Sequence, residues 1–112
     1  MATSASEVSA AEARLAAATR ALQLTIQRAY IKVETAERRV ALLQTTIVPQ
    51  SRQAWESSRL AYETDRVDML TLLDHERTLL DEQLAYFQAL GELAAARADL
   101  ERAVGVDFGR QP

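Results

Sequence analysis

One run of apolar residues constrains this chain more than any other feature. Leu22, Ile26, Ala29, Val33, Ala36, Val40, Leu43 and Ile47 follow one another at alternating steps of four and three. That spacing is a heptad repeat, which keeps one stripe of an α-helix facing a partner helix and winds the pair left-handed. Upstream, Val8 and Leu15 hold one of the two seam positions, but Glu12 and Thr19 occupy the other, so the seam weakens. Downstream, Pro49 interrupts the run. Proline has no N–H and collides with the carbonyl four residues earlier. Two outcomes fit: a kink near Thr45–Val48, or a new helix with Pro49 in its first turn. The small residues Ser51, Ala54, Ser58 and Ala61 carry the stripe past the proline, which favours a kinked but continuous arm.

The partner helix lies in the same chain. A short polar break around Thr64-Asp65-Arg66-Val67-Asp68 separates the first helical pattern from a second. Helices joined by so short a turn fold back antiparallel. The second pattern has two apolar rows. Leu73, Leu80, Leu84, Phe87, Ala94 and Ala98 form the expected seam, and Leu72, Leu79, Tyr86, Leu90, Leu93, Leu100 and Val104 lie beside it. Two rows are wider than a two-helix hairpin needs, so this helix is expected to have neighbours on two sides. Folding about the tip pairs residue i with roughly 130 − i, placing Phe87 against Leu43, Leu80 against Gln50 and Ala94 against Ala36.

The fold class is therefore all-α: a long antiparallel coiled-coil hairpin with a kink near Pro49 and its tip at 64–67. The expected limits are a frayed N-terminus over 1–6, a helix over 7–63, a tip at 64–65 and a helix over 66–104. Gly105 stops that helix as a C′ residue, and 106–112 is a tail. The second helix ends opposite about residue 26, leaving residues 8–25 unpaired, an overhang of about 20 Å on arms of about 80 and 60 Å.

Composition agrees. With 21 Ala and 15 Leu against 3 Gly and 2 Pro, helix formers dominate. Aromatics at 5% argue for thin helix contacts rather than a thick core. A net charge of −3 gives no reason to expect nucleic acid. Cysteine is absent, which removes disulfides, thiolate metal sites and a thiol nucleophile. No stretch is long and apolar enough to span a bilayer, and no secretory leader opens the chain. His75, the single histidine, is flanked by Asp74 and Glu76, but adjacent helical residues point apart and cannot ligate one metal. His75 reads as a solvated or interhelical residue. Asp65 and Asp68 read as helix caps, and Trp55 as a packing residue. No catalytic, cofactor or metal residues are expected, and the chain is not read as an enzyme.

An ordered set of short motifs resembles the TolC-like outer membrane efflux proteins. It comprises Ile47-Val48-Pro49-Gln50, Ala61-Tyr62, Leu70-Thr71-Leu72-Leu73-Asp74, Glu82-Gln83-Leu84-Ala85-Tyr86 and Leu100-Glu101-Arg102-Ala103-Val104-Gly105. The resemblance implies one helical-hairpin repeat of a periplasmic α-helical barrel. In that family three protomers close the barrel, and hairpin tips face a periplasmic adaptor and an inner-membrane pump. Thr64, Asp65, Arg66, Val67 and Asp68 would then be the adaptor-contact tip, with Asp65 standing where the family usually has glycine. The parent would sit at the periplasmic face of the outer membrane. The strands, the other repeat and the signal peptide of the family are absent, so the chain reads as a soluble fragment. The alternative is a stand-alone hairpin module that self-associates into a helical bundle.

Overall fold

The computed structural model describes the backbone of residues 2–109 and the side chains of residues 3–105. The architecture is all-α, with no strand among the described residues. Helix α1 runs over Ala2–Leu42, a π-helical turn over Leu43–Ile47, α2 over Val48–Glu63 and α3 over Met69–Gly109. The chain divides into two units, Met1–Val33 with Ala96–Pro112, and Glu34–Ala95.

In the first unit the contact between the helices is a narrow stripe. Val33 and Ala96 are buried, while Leu22, Ile26, Ala29, Leu100, Ala103 and Val104 are half-buried. Residues 3–21 are exposed throughout. The wholly exposed stretch therefore ends at residue 21, and α3 does not stop at Gly105. It passes through that glycine to Gly109, and neither Gly91 nor Gly105 has a positive φ. A glycine terminates a helix when it turns left-handed; here right-handed angles continue. The helix likewise begins at Ala2 and not at residue 7, and Met1 lies outside the described residues. The tail expected over 106–112 is helical in its backbone to Gly109, and 110–112 lie outside the description.

The second unit is the hairpin proper. Val40, Leu43 and Ser58 of the outgoing arm are buried, as are Leu79, Ala89 and Leu93 of the returning arm. The outgoing stripe is the one its spacing predicts, from Ala36 through Ile47. The returning stripe is not. Leu72, His75, Leu79, Glu82, Tyr86, Ala89 and Leu93 face the partner, whereas Leu73, Leu80, Leu84 and Phe87 are 50–66% exposed. The expected pairings of Phe87 with Leu43 and Leu80 with Gln50 are thus replaced. Arg39 Nη1 meets Glu92 Oε2 at 2.7 Å, and Ser58 meets His75. Both contacts lie further along α3 than 130 − i allows.

Two local causes produce this shift. The turn is longer than expected, with α3 starting at Met69 instead of residue 66, so the pairing register moves along α3. Neighbouring rows lie only about 100° apart, so a small change of register is enough to exchange them. The second cause is the π turn. The Val48 N–H bonds to Leu43 O, five residues back, so the outgoing arm carries one extra residue here. Beyond it the stripe runs through Ser51, Trp55, Ser58 and Tyr62, and Ala54 is exposed. Pro49 sits in the first turn of α2. In a regular α turn its ring would press on the carbonyl of Thr45; a wider turn relieves that. The Thr45 hydroxyl donates to Ala41 O at 2.6 Å, tying the same turn backwards.

Candidate functional site

The tip is built by two complementary caps. Helix α2 ends at Glu63, and Asp65 adopts φ 57°. Its N–H donates to Tyr62 O at 3.1 Å, and the Arg66 N–H donates to Ala61 O at 2.8 Å. This pair of bonds is the Schellman arrangement, with Asp65 in the left-handed position that glycine usually takes. Asp tolerates that region better than most side chains. The Thr64 hydroxyl donates to Ala61 O at 3.1 Å, satisfying a second acceptor role for a carbonyl at the helix end.

Asp68 opens α3. The Thr71 N–H donates to Asp68 Oδ1 at 2.9 Å, and the Leu72 N–H donates to Asp68 O at 3.2 Å. That is N-cap geometry three residues before the bonded amide. The Thr71 side chain and amide beside it hold the Asp68 carboxyl below the usual carboxylate range. Asp68 is therefore the cap of the second helix, whereas Asp65 serves the end of the first.

These bonds leave a specific set of side chains on the outside. Thr64, Asp65, Arg66 and Asp68 are exposed, and Val67 is half-buried rather than free in solvent. Tyr62, Asp65, Arg66, Val67, Asp68 and Thr71 line a shallow depression at the turn. Arg66 makes no ion pair among the described residues. The turn thus gathers all five tip residues of the sequence reading and presents one unpaired cation beside one partly sheltered valine.

His75 lies inside the hairpin. Its Nδ1 is hydrogen-bonded to the hydroxyl of Ser58, which is only 5% exposed. The histidine is thus interhelical and satisfies Ser58, the one buried polar residue among the described residues. Among the described residues no three His, Cys, Asp or Glu side chains gather closely enough to hold a metal. Trp55 is half-buried, with the Arg59 guanidinium 5.5 Å from its ring centroid.

Sequence reasoning missed a second concavity. Beside the π turn, Gln44, Val48 and Arg52 of the outgoing arm and Gln83, Tyr86 and Phe87 of α3 line a groove. The Tyr86 and Phe87 rings are 5.7 Å apart and tilted by 55°. The signal was present in the stripe, where Leu43, Ile47 and Ser51 make two consecutive steps of four. That is one residue too many for a heptad.

No helix among the described residues is long and apolar enough to cross a membrane. No protein-family model matches the chain, and no solved structure matches it. Over 63 residues, 56% of the chain, it is 29% identical to the cobalt-zinc-cadmium resistance protein CzcC of Cupriavidus metallidurans. The matched stretch is 15% of that protein's length.

Proposed function

We infer that this chain is one hairpin of the periplasmic α-helical barrel of an outer membrane efflux or secretion duct of the TolC-like kind. Its two arms form part of the channel wall. Its tip, Thr64 to Asp68, is presented to a periplasmic adaptor that connects the duct to an inner-membrane pump. The parent protein sits at the periplasmic face of the outer membrane and closes its barrel as a trimer. The segment is a structural part of a transport path and catalyses nothing.

One observation carries this reading. Helix α3 buries one apolar row against its own partner and still exposes a second, Leu73, Leu80, Leu84 and Phe87. A solvated hairpin has no use for that row; a helix walled in by neighbours does. The similarity to CzcC supports the same reading, since a resistance protein against metal cations fits an export duct. In this reading the cargo is selected by the pump and not by this wall.

The test uses the full-length parent in an efflux-deficient host, with resistance to cobalt, zinc and cadmium as readout. Arg66→Glu with Val67→Asp abolishes resistance while abundance and trimer formation stay at the parent level. Resistance that persists with both changes refutes adaptor docking at the tip.

A further inference from the structure

We propose that the groove beside the π turn receives the N-terminal segment of a second copy of this chain, with Glu12 paired to Arg52. The groove combines an apolar floor with an unanswered charge. Val48 and Tyr86 are half-buried and Phe87 is 66% exposed. Arg52, Gln44 and Gln83 have no hydrogen-bond or ion-pair partner among the described residues. The groove lies beside the π turn, whose extra residue shifts the outgoing stripe by one position. Helix-in-groove recognition needs apolar anchors at i, i+3, i+4 or i+7 and a polar group to fix register.

The same chain carries a segment of that chemistry. Residues 3–21 are helical and exposed. Val8 and Leu15 are 57% and 69% exposed, and both lie on the heptad phase that is buried further along. Glu12 lies between them on that face. It is the face's one charge, since Thr19 is neutral and turns its hydroxyl to Leu15 O at 2.9 Å. Glu12 has no partner among the described residues. The segment is thus an amphipathic helix with one acidic group in its apolar stripe, and the groove has one basic group beside its aromatic floor. Docking would lay a third helix along the hairpin, with Val8 and Leu15 on Val48, Tyr86 and Phe87. Because the patches on the two copies differ, the contact is heterologous. It is a property of this chain and stands or falls apart from the duct reading.

Charge reversal tests it with the full chain in sedimentation velocity. Glu12→Arg and Arg52→Glu each weaken self-association about tenfold, and the two together in one chain restore it to within about twofold. Circular dichroism checks that all variants keep the parent's helicity. A cross-link supplies a second reading. The chain has no cysteine, so a tagged Glu12→Cys copy mixed with an Arg52→Cys copy forms the mixed disulfide in preference to either like pair. The proposal is overturned if the double variant associates as weakly as the singles, or if the singles associate like the parent. It is equally overturned if the mixed disulfide is not preferred, or if the parent stays at 12.4 kDa at about 100 μM.

Discussion

Two aspartates divide the work of reversing the chain, and their backbone angles tell them apart. Asp65 holds φ 57°, where a side chain costs about 1 kcal/mol. Asp65→Gly therefore raises the stability of the hairpin by about 0.5 kcal/mol, the relief of strain being partly offset by a freer unfolded chain. Asp65→Val lowers stability by about 1–2 kcal/mol; urea unfolding of both variants measures the difference. Asp68 is a cap and responds to pH. Its carboxyl is held below the ordinary value of 3.8 by the Thr71 hydroxyl first and the Thr71 amide second. A carboxyl lowered on folding binds its proton less readily when folded. Its stabilisation is complete above the unfolded value and fades as pH falls through the lower folded one. Melting curves taken across the acid range should show that loss in the parent. Asp68→Asn keeps an acceptor for Thr71 and flattens this part of the profile. Both aspartates were visible in the sequence as capping residues. Their separate duties were not, because a left-handed residue and an N-cap differ in backbone angle and not in residue type.

At the scale of the elements, the π turn is the point where the sequence stripe and the folded stripe part company. The eight residues from Leu22 to Ile47 are buried or half-buried as their spacing requires. Past Pro49 the stripe advances by one residue, exposing Ala54 and half-burying Trp55. The proline itself announced an interruption. How the interruption is resolved depends on which face α3 offers to α2, which is tertiary information. The extra residue is needed by the packing as well as by the ring of Pro49. Pro49→Ala alone therefore leaves the π turn in place, since a regular turn would rotate Ser58 away from His75. Deleting Thr46 together with Pro49→Ala removes the extra residue and the proline at once. The arm then becomes an unbroken α-helix with Ser58 still facing His75. This variant melts at or above the parent's temperature. Amide exchange shows a protected N–H at the substituted position. Loss of the fold on deletion would mean the wider turn is itself required.

At the scale of the whole molecule, the balance of apolar surface decides what the chain can do. No large side chain is fully buried among the described residues, so the fold rests on a thin seam and has little stability to spare. Two apolar rows of α3 compete for that seam, and both carry leucines along the hairpin. The choice between them is a rotation of about 100°, the angle between one helical residue and the next. That is why the antiparallel hairpin was legible in the sequence and its register was not. Adjacent leucines now distinguish the two rows by experiment. Leu79 is 8% exposed and faces the partner arm, while Leu80 is 58% exposed on the outer row. Leu79→Glu places a charge in the seam at a cost of about 3 kcal/mol or more, and helicity is lost at room temperature. Leu80→Glu leaves helicity at the parent level, because its carboxylate stays in water. It instead removes an apolar contact worth about 1–2 kcal/mol to any neighbour that covers the row. Light scattering should then show self-association weakened without unfolding. If Leu80→Glu unfolds the chain and Leu79→Glu does not, the rows are exchanged and the outer face proposed for the duct is wrong.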